Sequence, residues 1–169
     1  MLVADRDGTR IEREGMGGRG GGGGGGAYVA SITARAMNGE LDFEDALRER
    51  VGLLAGLDEG VIARVIRDRI TLMPGGRALV ATMRANGGYA ALVSGGFTAF
   101  TGAIAGGLGF DENRANTSLV DGGKLTGKVA DPILGRAAKV QALEEISARL
   151  GISVTDAIAV GDGAKDLGM

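Results

Sequence analysis

The sequence predicts an α/β fold built on a parallel sheet, with a small helical cap inserted after the first strand. Three observations predict it. Apolar runs of strand length, Leu2-Val3-Ala4, Tyr89 to Val93 and Ala157 to Val160, are separated by stretches of helical periodicity. Each run ends abruptly in polar groups: Asp5 and Asp7, then Ser94, then Asp162 and Asp166. Between the first run and the second lies a block whose apolar residues recur at helical spacing.

Taken in order, Leu2 to Ala4 is the first strand. Gly17 to Gly26 is nearly all glycine, interrupted only by Arg19. Each glycine costs a helix interior about 1 kcal/mol relative to alanine, so a flexible segment is expected there. Val29, Ile32 and Ala36 suggest a short helix before Asn38-Gly39. Phe43, Leu47, Val51 and Leu54 mark a helix with Asp42 at its N-cap, and Asp58 caps another carrying Val61, Ile62, Val65 and Ile66. Ala78 to Ala85 is helical and stops at Asn86-Gly87-Gly88, before the strand Tyr89 to Val93. Phe97, Phe100, Ile104 and Leu108 mark a helix ended by Gly109. Thr117 to Val120 and Lys124 to Val129 read as a hairpin turning through Asp121-Gly122-Gly123. Val140, Leu143, Ile146 and Leu150 mark a helix closed by Gly151, before the last strand. The expected domains are an α/β core over 1–12 and 74–169 and a helical cap over 13–73, with the glycine-rich segment at 15–26.

Composition narrows the chemistry. The chain of 169 residues has no Cys and no His, which excludes disulfides, thiolate or imidazole metal sites, cysteine nucleophiles and Ser-His-Asp catalysis. Carboxylate, hydroxyl, lysine and arginine chemistry remains. A net charge of -2 favours neither nucleic acid nor an anionic membrane surface. The glycine run contains the GxGxxG dinucleotide pattern, as any glycine run does, with no adjoining strand to support it. An RNA-binding reading of Gly18-Arg19-Gly20 fails on one arginine and 4% aromatic residues. A soluble cytoplasmic protein without nucleic-acid or membrane partners is expected.

In a parallel sheet all carboxyl ends lie on one edge, where α/β proteins place their ligands. The three polar clusters are therefore expected to meet. Gathering carboxylates is unfavourable unless a cation offsets their repulsion, and an oxygen-only ligand set favours Mg²⁺ over zinc or copper.

The residues in these positions resemble those of a known family. Asp5-Arg6-Asp7-Gly8-Thr9 is similar to the DxDxT signature of haloacid dehalogenase-like phosphatases. Ser94-Gly95-Gly96-Phe97 resembles their second motif, Lys139 the third, and Gly161 to Asp166 the fourth. Ala36 to Phe43 and Leu47 to Val51 look like the helical cap of phosphoserine phosphatases. The resemblance implies a Rossmann-like haloacid dehalogenase core and a Mg²⁺-dependent phosphomonoesterase acting on O-phosphoserine, in serine biosynthesis. It implies Asp5 as nucleophile and Asp7 as general acid and base. Asp5, the Asp7 carbonyl and Asp162 would hold Mg²⁺, with Asp166 assisting. Ser94, the Gly95 N–H and Lys139 would bind the phosphoryl group. In the cap, Arg50 would pair with the substrate carboxylate and Glu14 with its ammonium, while Met37 and Phe43 wall the pocket.

The sequence also departs from the family. Lys165 stands where the fourth motif usually has asparagine, beside the expected magnesium ligands and within reach of the substrate site. Gly8 replaces a usual serine, and Gly15 to Gly26 stands where a helix leads into the cap. Met169 falls where the family continues with a helix and a strand, so some apolar sheet surface is expected to be exposed. A catalytically impaired phosphate-binding derivative, or a phosphotransferase using another acceptor, are the alternatives.

Overall fold

The computed structural model describes residues 1–4, 42–69, 72 and 74–161. The expected short helix around Val29 to Ala36 lies outside the described residues. Met1–Arg10, Thr71–Thr117 and Leu134–Met169 form one compact unit, and Ile11–Ile70 with Ser118–Ile133 a second.

The first unit is the predicted α/β fold. Strands β1 (Leu2–Ala4), β2 (Ala90–Phe97), β3 (Glu112–Asn116) and β6 (Ile158–Val160) form a sheet in the order β3-β2-β1-β6, every pairing parallel. β1 and the first four residues of β2 are apolar because both faces are covered there, as parallel sheets require. On one face Met1, Val3, Ala91 and Val93 pack with Ala142, Leu143 and Ile146 of α5 (Arg136–Leu150). On the other, Leu2 and Ala90 pack with Val80 and Met83 of α3 (Gly76–Ala85) and Leu108 of α4 (Thr98–Leu108). Alternate β1 residues thus serve opposite layers. Side chains as completely buried as Leu2 and Ile146 each contribute about 1.5–3 kcal/mol of apolar transfer energy. Strand β6 is exposed along its length, with Ile158 at 53%.

Two elements differ from expectation. The second strand does not stop at Ser94 but runs on to Phe97, which pairs with Asn116 across a register shift that begins after Val93. The polar segment Glu112–Asn116 is a strand although its sequence carries no apolar alternation. Its Glu112, Arg114 and Asn116 side chains are paired at one edge of the sheet, whereas the Asn113 amide oxygen is buried without a partner among the described residues. Glu112 accepts hydrogen bonds from Tyr89, Arg114 and Arg149, and Arg114 also bonds Glu145 of α5.

In the second unit, α1 (Phe43–Gly52) starts at Asp42, whose carboxylate accepts the Glu44 N–H. Helix α2 (Gly60–Arg69) starts where Asp58 accepts the Gly60 N–H at 2.8 Å. Strands β4 (Ser118–Asp121) and β5 (Lys124–Val129) form the predicted hairpin, turning through Gly122 and Gly123 at positive φ. The hairpin groups with residues 11–70. Backbone bonds explain the grouping: Gly56 N–H donates to Leu125 O, and Leu125 N–H to Leu57 O, both at 2.8 Å. Leu125 and Val129 are buried, as are Leu47 and Val51 on α1, the helix packed against β5.

Candidate active site

The strand registers align the carboxyl ends of described strands along one edge of the sheet. Ala4 pairs with Leu92 on one side and with Val160 on the other. In sequence, Asp5 follows Ala4, Ser94 lies two residues beyond Leu92, and Asp162 two beyond Val160. The described parts of all three strands therefore run toward the same carboxyl edge.

Ser94 is only 4% exposed, and its hydroxyl oxygen accepts the Gly96 N–H at 3.0 Å. That bond uses one lone pair and leaves the hydroxyl proton free to donate to an anion. The Gly95 carbonyl accepts from the Asn116 side-chain amide at 3.0 Å. Lys139, in the first turns of α5, is only 5% exposed. It lies at helical spacing from the buried Ala142, Leu143 and Ile146.

In the second unit, Arg50 stands in the last turn of α1, the end of a helix that favours cations. Burial pushes its pKa below the ordinary arginine value, and no other group contributes to the shift. Among the described residues, no ion pair or hydrogen bond engages its guanidinium. Its neighbour Arg48 is exposed and bonded to Asp131 at 2.8 Å. Of the two, Arg50 has the free fork for a carboxylate. Phe43, the first residue of the same helix, is 39% exposed, more than a packed core residue would be.

Asp5, Asp7, Glu14, Met37, Asp162, Lys165 and Asp166 lie outside the described residues. Among the described residues, no group of three or more acidic side chains is placed to hold a metal. No described helix is long and apolar enough to cross a membrane. Sequence reading did not single out Asn116, which is almost fully buried and bonded to two other segments. Its only sequence signal is an asparagine before a threonine, which reads as a turn.

A parallel sheet with apolar inner strands packed between helices, and a buried serine on its second strand, defines an α/β protein. The haloacid dehalogenase-like hydrolase family matches residues 5–169, and the chain belongs to that family. It is 43% identical to the phosphoserine phosphatase of Streptomyces coelicolor over all of this chain, but spans only 41% of that relative's length. It is 41% identical to the phosphoserine phosphatase of Albidiferax ferrireducens, covering 100% of this chain and 73% of the relative. A solved structure of a phospho-aspartyl intermediate analogue of phosphoserine phosphatase superposes with a TM-score of 0.82. That comparison has 37% identity and covers 99% of this chain and 80% of the other.

Proposed function

We propose that the chain is a Mg²⁺-dependent phosphomonoesterase that hydrolyses O-phosphoserine through an aspartyl phosphate on Asp5. The observation that supports the reading is the shared register of Ala4 with Leu92 and Val160, by which the strands that precede Asp5, Ser94 and Asp162 in sequence run in parallel to one edge.

The Asp5 carboxylate attacks phosphorus, and the bond from phosphorus to the serine oxygen breaks. Asp7 gives its proton to that departing oxygen. It then takes a proton from the water that attacks the acyl phosphate, releasing inorganic phosphate and regenerating Asp5. Ser94, the Gly95 N–H and Lys139 offset charge on the phosphoryl oxygens. Asp5, the Asp7 carbonyl and Asp162 would hold Mg²⁺, with Asp166 behind them. All are oxygen donors, a set that fits this ion, and when bound it would supply charge neutralisation. Residues 13–73 act as the cap. There Arg50 and Glu14 hold the two ends of the amino acid, and Met37 and Phe43 line the pocket. The free, partly buried guanidinium of Arg50 supports a substrate that carries a carboxylate.

Phosphate release from O-phosphoserine, measured with and without EDTA, tests the reading. Release that depends on Mg²⁺ and vanishes in Asp5→Asn is expected. A folded sample that releases none, or releases it independently of metal, overturns it. Phosphate binding without turnover would instead favour the impaired derivative, and recovery of turnover in Lys165→Asn would trace the impairment to Lys165.

A further inference from the structure

We infer that Asn116 is a positioning residue that fixes the anion-binding turn of Ser94 and Gly95 and ties it to the entry of the Lys139 helix. The inference rests on the phosphatase reading and deepens it. Asn116 is only 2% exposed, at the end of β3. Its amide nitrogen donates to Gly95 O at 3.0 Å and to Leu134 O at 3.1 Å, while its amide oxygen accepts the Leu134 N–H at 2.7 Å. Both of its donors and one acceptor position are therefore committed to backbone.

The partners explain the consequence. Gly95 O and Gly96 N–H belong to one peptide unit. Its carbonyl is held by Asn116 and its N–H by the Ser94 hydroxyl, at 3.0 Å each. The peptide plane cannot turn without breaking both bonds, because peptide planarity couples its two ends. Asn116 thereby fixes the acceptor bond of Ser94, which leaves the Ser94 proton available to a phosphoryl oxygen. Leu134 lies just before α5, which carries Lys139, so the same amide secures the segment leading into that helix. One side chain thus ties the Ser94–Gly95 turn to the segment entering the Lys139 helix. A buried bridge of this kind holds groups within the tolerance that binding requires.

Asn116→Asp keeps the size and the acceptor for Leu134 N–H but replaces two donors with a carboxylate facing two carbonyl oxygens. Asn116→Ser removes the bridge without adding charge. Inorganic phosphate binding in the presence of Mg²⁺, followed by calorimetry on folded protein, should weaken by about tenfold or more in both, the cost of leaving buried carbonyls unpaired. The Gly96 and Leu134 amide resonances should shift in both. A purely structural role would lower the melting temperature but leave the Kd of the folded fraction unchanged, and that result overturns the inference. If neither variant folds, phosphate titration of the unaltered protein decides. The Asn116 side-chain amide resonances should respond together with Gly96, and a silent Asn116 overturns the proposal. An unaltered protein that binds no phosphate overturns this inference and the phosphatase reading together. Binding without turnover of O-phosphoserine overturns only the hydrolase reading, since the ratio of Kd values still tests Asn116.

Discussion

Ala4 of β1 pairs with Val160 of β6 in parallel register, so the two strands finish level with each other. Asp5 follows the first strand directly and Asp162 follows the second by two residues. Nearly the whole chain separates these carboxylates in sequence, yet the strands that precede them are paired neighbours, as the proposed metal site requires. Asp5→Asn should abolish turnover, because an amide cannot attack phosphorus. If Asp166 assists the metal as proposed, Asp166→Asn should raise the Mg²⁺ concentration for half-maximal activity by about 10–100-fold. Magnesium titration of phosphate release measures both. Unchanged half-saturation in Asp166→Asn removes that residue from the metal site.

Among the described residues, nothing pairs with the Arg50 guanidinium in the last turn of α1. Lysine in its place keeps the charge but loses the planar fork that matches a carboxylate. Arg50→Lys should therefore lower kcat/KM for O-phosphoserine by about 10–100-fold, the range of a charged hydrogen bond. Phosphoethanolamine lacks the carboxylate, so its kcat/KM should be nearly unaffected. Equal losses on both substrates would show that Arg50 serves something other than that carboxylate.

Much of this arrangement was legible because it depends on local pattern. The caps at Asp42 and Asp58, the hairpin glycines and the terminating Gly109 and Gly151 are short-range signals, and each sits where expected. Strand β3 was not legible. Its Glu112 and Arg114 are stabilised by Tyr89, Glu145 and Arg149, which lie far away in sequence. The grouping of the hairpin with residues 11–70 depends likewise on bonds between Leu125 and the segment after α1. Ser94, Gly95 and Lys139 were found through motif order, and the first and last of these prove buried. Asn116 escaped because a bridging role is invisible until the segments it bridges are adjacent.

The Glu112 network predicts acid sensitivity. Burial pushes the Glu112 carboxyl up, but hydrogen bonds from Arg149, Arg114 and Tyr89 outweigh it and hold the pKa at about 2, against 4.5 ordinarily. A depressed carboxyl pKa stabilises the fold above the unfolded value, and that contribution is lost as pH falls through the folded one. With Arg149 half exposed, solvent screening reduces it to about 1–2 kcal/mol. Glu112→Gln should lower stability by that amount at pH 7, and its difference from the parent should close between pH 4.5 and about 2. Urea melts across that range measure the gap. A gap that stays constant with pH would show that Glu112 acts through packing and not charge.

Gly127 of β5 combines positive φ with a crowded approach. At φ 74°, an added Cβ would lie 2.9 Å from the Ala55 Cβ and 3.3 Å from the Gly52 backbone. Gly56 has a similar φ of 82° but open space around the position of a Cβ. Both substitutions to alanine incur the left-handed backbone cost of about 1–2 kcal/mol. Only Gly127→Ala must also push the hairpin away from the segment after α1, an overpacking cost of about 1–3 kcal/mol more. Gly127→Ala should therefore destabilise the protein clearly more than Gly56→Ala in denaturant unfolding. Because the crowding falls just beyond the helix that carries Arg50, Gly127→Ala should also raise KM for O-phosphoserine more than it lowers kcat. Equal stability losses in the two variants would mean that β5 can move aside, and that the hairpin does not brace this helix.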